Sequence, residues 1–111
     1  IEMQKKAKAV FVDDSVYDYI SDLCDTTRHN ENISLGVSPR GALALCRIAK
    51  SWACYKGREY AVPQDVRDFF VHVCSHRIAL SAKGRLSGLA AESVLDEIVK
   101  SVKCPENEEK R

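Results

Sequence analysis

The chain has 111 residues, 45% hydrophobic and 30% charged, which suits one folded domain with a single core and excludes a disordered chain. Lys and Arg number 17 against 16 Asp and Glu, for a net charge of +1. That balance argues against a dedicated nucleic-acid binder, whose affinity depends on neutralising several phosphates.

Residues 8–13, KAVFVD, alternate weakly and predict a short strand, and the DDS that overlaps its end supplies helix caps. Val16, Ile20, Leu23, Cys24 and Thr27 then recur at helical spacing, predicting a first helix that ends near Arg28 or His29. RHNENISLG reads as a polar connector. Ser38 is placed to cap a second helix and Pro39 to open it, since a first-turn N–H has no partner to lose. Ala42, Leu45, Cys46, Ala49, Trp52 and Ala53 form its inward stripe, and Gly57 stops it. REYAV reads as an extended link or turn. A third helix opens at Pro63 with Val66, Phe69, Phe70 and Val73 on one face, although Val62 stands where a capping hydroxyl would serve better. HRIAL, residues 76–80, is expected to be a second short strand paired with the first, and SAKGRLSG a loop. A fourth helix is expected over residues 89–102, with Ala91, Leu95, Ile98, Val99 and Val102 inward. The expectation is a mainly α fold over residues 1–103, a bundle of about four helices with one short two-stranded β ribbon. CPENEEKR, residues 104–111, reads as a charged, disordered tail.

No apolar run nears the roughly 20 residues that span a bilayer, and no secretory signal opens the chain. With five cysteines, an odd number, and no C-x-x-C pair, the expected state is reduced thiols in a cytoplasmic protein. Cys24, Cys46 and Cys74 are expected in the core and Cys104 exposed. Lys5, Lys6 and Lys8 read as a solvated leader. The chain begins with Ile1 rather than methionine, so it is expected to be a piece of a longer protein.

Neither a G-x-x-x-x-G-K-[ST] phosphate loop nor a G-x-G-x-x-G is present. No nucleophile–base pair can be assigned, and Ser38 reads as a cap. His72, Cys74 and His76 resemble metal ligands in type, but on a helix Cys74 points away from the two histidines, so no metal is expected. Arg40 is the anomaly. It stands in the first turn of a helix, where the macrodipole is already positive. An anion there would remove the misfit, because free N–H groups and a guanidinium fork together grip a phosphate or carboxylate. Arg47 projects from the same side seven residues on, with Lys50 offset. A solvated surface arginine accounts for Arg40 equally well on spacing alone. A helical DNA-binding module, and an interaction domain docking through Trp52, Tyr55 or Tyr60, are the competing functions.

LGVSPRGALALCRIAKSWACYKGREYAVPQDV, residues 35–66, resembles the L-G-a-S-P-R … G-R-x-y-V-x-P-x-D-V segment of MoxR-type AAA+ ATPases. VYDYISDLCDTTR upstream is similar to the helix before it, and HRIAL to the H-R-[IL] that follows. The resemblance implies a carboxy-terminal helical lid, the subdomain that follows the nucleotide-binding core. It implies that Arg40 is the sensor-2 arginine, which reaches the γ-phosphate of ATP. It further implies ATP and Mg in the full-length protein, a core in cis, neighbouring subunits in a homo-oligomeric ring, and a protein client, with neither nucleic acid nor a membrane span. The Walker A, Walker B, sensor-1 and arginine-finger positions have no match, so the parent is expected to be an ATP hydrolase and this fragment inactive alone. Gly41 departs from the family's common alanine, at a cost in helix propensity of up to ~1 kcal/mol.

Overall fold

Asp13 sets where the first helix begins: its carboxylate accepts the Ser15 N–H at 2.9 Å while its own backbone stays extended. The structure, a computed structural model, describes residues 10–105. The leader at Lys5, Lys6 and Lys8, the first two residues of the expected strand, and positions 106–111 of the expected tail lie outside the described residues. In chain order the elements are β1 (Phe11–Val12), α1 (Asp14–Arg28), β2 (Ile33–Leu35), α2 (Pro39–Tyr55), β3 (Tyr60–Ala61), α3 (Pro63–Cys74), β4 (Ala79–Leu80), α4 (Ala82–Leu86) and α5 (Ala91–Ser101). The mainly α expectation holds, and among the described residues no helix is long and apolar enough to cross a membrane.

Helices α2 and α3 make the most extensive pairing, with α1 packed on both and α5 packed on α3 and α1. The shared core is built from Val16, Tyr19, Leu23, Leu45, Phe70 and Leu95, with the small Ala49 and Ala53 letting α2 approach closely. The predicted stripes are correct in phase and less deep in places. Cys46, Trp52, Phe69 and Val73 are half-buried, whereas Gly41 and Cys74 are fully buried. Trp52 therefore belongs to a partly exposed aromatic cluster rather than the core: it stacks on Tyr55 at 5.4 Å and meets the edge of Phe69 at 5.3 Å. Cys104, expected in solvent, packs half-buried against the core beside the Tyr19 hydroxyl, and burial pushes its thiol up.

The ends of α2 and α3 follow from local chemistry. Gly57 adopts φ +81°, and the Gly57 and Arg58 N–H groups return to the carbonyls of Cys54 and Ala53 at 3.0 and 2.9 Å. Val62 offers no side-chain acceptor to α3; the corner is held from the other side. The Asp65 carboxylate accepts the Val62 N–H at 2.8 Å and the Asp65 N–H donates to the Val62 carbonyl at 2.9 Å. Asp65 also receives the Arg58 guanidinium through two bonds of 3.0 and 2.7 Å, and Arg58 donates to the Tyr60 carbonyl at 3.1 Å. The G-R…P-x-D spacing is thus a buried clamp at a helix start.

The strand pairing differs from the expectation. β1 runs parallel to β3, Phe11 opposite Tyr60 and Val12 opposite Ala61. β4 pairs antiparallel with β2, Ile33 opposite Leu80 and Leu35 opposite Ala79, across a register irregularity. The 15 residues of α1 separate the two ribbons, a rise of about 22 Å. β1 precedes that helix and β2 follows it, so the chain leaving α3 beside β2 is out of reach of β1. REYAV and the polar connector each contribute a strand the sequence reading omits. SAKGRLSG is likewise not a plain loop: Ser81 caps α4 by accepting the Gly84 N–H at 3.1 Å.

Candidate functional site

The site begins with the residues that aim α2. Thr27, fully buried in the last turn of α1, donates to the Cys24 carbonyl at 2.6 Å and accepts the Val37 N–H at 3.0 Å. Arg28 donates to the Val37 carbonyl through Nε at 3.1 Å and Nη2 at 2.8 Å. Both backbone groups of Val37 are therefore tied to α1, and its side chain is fully buried. Gly36 makes the approach possible. A Cβ there would lie 2.8 Å from Arg28 Cγ and from Thr27 Oγ1, and 2.9 Å from the Arg28 backbone nitrogen. From this anchored corner Ser38 caps α2, accepting the Gly41 N–H at 3.3 Å, with Pro39 in the first helical position.

Arg40 is the second residue of α2 and is exposed. It lines a groove of about 620 Å³ between α2 and the end of α3, together with Arg47, His72 and Arg77 and the apolar Leu43 and Val73. No carboxylate lines this groove, and among the described residues none of its three arginines forms a salt bridge. Arg40 and Arg47 are about 10 Å apart along the helix, from seven residues of rise. Lys50, half-buried, is not part of the lining.

Arg77 reaches the groove from the turn after α3 and passes close to Gly41. A Cβ on residue 41 would lie 2.6 Å from Val37 Cγ1 and 3.3 Å from Arg77 Cδ. Val37 is fully buried and β-branched, so it has no room to yield. The glycine that sequence reading counts only as a loss of helix propensity is required by the buried Val37 side chain, and the Arg77 stem lies close to the same turn of α2.

The three metal-like residues are dispersed, and not by helix geometry alone: α3 ends at Cys74, so His76 lies in the turn beyond it and does not share a helix face with His72. His72 lines the groove, His76 is exposed outside its lining, and Cys74 is buried with its thiol pushed up to about 12 by that burial. Among the described residues no group of three or more His, Cys, Asp or Glu is arranged to hold a metal ion. Guanidinium groups without a carboxylate suit a phosphate or another polyanion and offer nothing to Mg2+. Sequence reasoning singled out Arg40 and Arg47, passed over His72 as a boundary residue, and missed Thr27, Arg28 and Arg77 as parts of the site. Arg77 had one visible signal, its place in the H-R-I segment.

Residues 25–98 match the family profile described as AAA lid domain. The Bacillus subtilis protein YeaC, uncharacterized, is 34% identical over 105 residues, covering 95% of this chain and 33% of YeaC. Chaperone MoxR1 of Mycobacterium tuberculosis is 28% identical over 115 residues, covering 96% of this chain and 30% of that protein. The chain thus spans about a third of the length of the curated relatives it matches. A crystal structure from Cytophaga hutchinsonii, provisionally named an ATPase, superposes with a TM-score of 0.84 at 25% identity, over 92% of this chain and 34% of that one.

Proposed function

The chain belongs to the AAA lid domain family, in its MoxR type, and we propose that it is the helical lid of an ATP-driven, chaperone-like remodelling machine, with Arg40 as the sensor-2 arginine. In this reading a nucleotide-binding core in cis holds ATP and Mg2+, neighbouring subunits complete a homo-oligomeric ring, and a protein client is remodelled in the cytoplasm. The observation that supports it best is Arg40 itself: a guanidinium in the first turn of an anchored helix, exposed, with no ion-pair partner among the described residues.

Phosphoryl transfer depends mainly on positioning and on stabilising charge as it spreads over the transferred group. Arg40 contributes a planar pair of donors to the γ-phosphate while that phosphate is present. Its backbone origin is held by the Val37 tether, so the geometry of the contact is conveyed to α1 as well as α2. Once the phosphate leaves, Arg40 loses its ligand and the lid is free to rotate on the core, a rigid-body change of the kind that transmits work. The chain alone carries no Walker A motif and is inactive as an ATPase in this reading.

The test is Arg40→Ala in the full-length protein. One charge-assisted hydrogen-bonding group is worth about 1.5–3 kcal/mol, so turnover at saturating ATP should fall about 10- to 100-fold while the circular dichroism spectrum and melting temperature hold. Unchanged turnover together with unchanged nucleotide-dependent assembly would sink the proposal.

A further inference from the structure

We infer that Arg77 is a second arm on the same terminal phosphate as Arg40, so that the lid grips it with two guanidinium groups delivered from different elements. The inference rests on the γ-phosphate reading above and extends it to a residue with no assigned role.

Two independent observations carry it. The first is charge: Arg40 and Arg77 line one groove, no carboxylate joins them, and neither has a salt bridge among the described residues. Like charges brought together without a counter-charge repel, and an anion between them removes the conflict. The second is space. The Arg77 Cδ lies 3.3 Å from where a Cβ on residue 41 would sit, one residue from Arg40. The stem of Arg77 therefore runs over the α2 turn from which Arg40 emerges.

Arg47 is a poor candidate for the same role. Its Cα is displaced by about 10 Å along α2, two turns beyond Arg40. His72 sits at least a turn earlier on α3 than the segment carrying Arg77. The two arms rooted around residue 41 are Arg40 and Arg77, and a terminal phosphate, with three oxygens, can accept donors from both.

The experiment uses the full-length protein and calorimetric titration with a non-hydrolysable ATP analogue and with ADP. Arg77→Met keeps the aliphatic stem over Gly41 and removes only the charge. It is expected to weaken the ATP analogue about tenfold and ADP by less than about twofold, with an unchanged melting temperature. Arg77→Lys should recover part of the loss. If Arg77→Met binds the analogue as wild type does while Arg40→Met does not, the inference is overturned and the γ-phosphate reading stands. If both variants bind as wild type, that reading fails and takes the inference with it. Equal weakening toward the analogue and ADP would overturn the assignment of Arg77 to the terminal phosphate.

Discussion

Replacing Asp65 by alanine removes three hydrogen-bond contacts at once, two from Arg58 and one from the Val62 N–H. The Asp65 side chain is 3% exposed and that of Arg58 24%. Removing one partner of a buried ion pair costs about 3–5 kcal/mol. Arg58 is exposed enough to regain some water and keeps its bond to the Tyr60 carbonyl, which places the loss at the lower end. The Val62 N–H, on a residue itself buried, adds about 1 kcal/mol when left without an acceptor. The sum is about 4 kcal/mol, a large share of the 5–15 kcal/mol that holds a domain folded. At 4–8 °C per kcal/mol for a domain of this size, the melting temperature of the chain should fall by about 15 °C or more. Far-ultraviolet circular dichroism on heating reads this directly. Asp65→Asn, which keeps one oxygen and loses the charge, should fall between alanine and wild type. A drop of less than about 4 °C for Asp65→Ala would refute the claim that this clamp holds the corner between β3 and α3.

Thr27→Val preserves shape and burial but leaves the Val37 N–H without its acceptor. It should lower stability by about 1–3 kcal/mol, read as a lower urea midpoint, with Thr27→Ser retaining most of the wild-type value. A second prediction concerns pH: burial pushes Tyr19 and Cys74 up to about 12 from ordinary values of 10.0 and 9.0. The folded chain holds these protons more tightly than the unfolded one, so their contribution is complete below pH 9.0 and is lost as pH climbs from there towards about 12. Urea midpoints measured across that window should decline, with Tyr19→Phe showing a shallower fall above 10.0; a flat profile would contradict the assignment.

The place of Arg40 in a first helical turn was legible in the sequence because the signal is local: a capping serine, a proline and a cation within three positions define the helix start and the charge beside it. The starts and inward faces of α1 to α3 were legible for the same reason, since caps and apolar periodicity act within one or two turns. Two-residue strands have no period to read, and their partners depend on which helix ends meet in space. Gly84 made α4 look like a loop, yet a Cβ there would lie 2.7 Å from the Asn32 carbonyl oxygen, so the glycine serves a contact 52 positions away in sequence. Gly41 misled too, since a Cβ there would lie 2.6 Å from the buried Val37 Cγ1 and 3.3 Å from Arg77 Cδ. What aims Arg40 was equally hidden, for it lies in Thr27 and Arg28 holding Val37 from nine or ten residues upstream. The two kinds of information are complementary in a physical sense. Local chemistry specifies that a helix begins at Ser38, but it leaves the direction of that helix open. Direction comes from the three hydrogen bonds that tie Val37 to α1, and the placement of Arg40 is only as exact as the direction of the helix that carries it. It follows that a change at Thr27 should disturb Arg40 by re-aiming α2, whereas a change at Ser38 should disturb it by fraying the turn in which it sits.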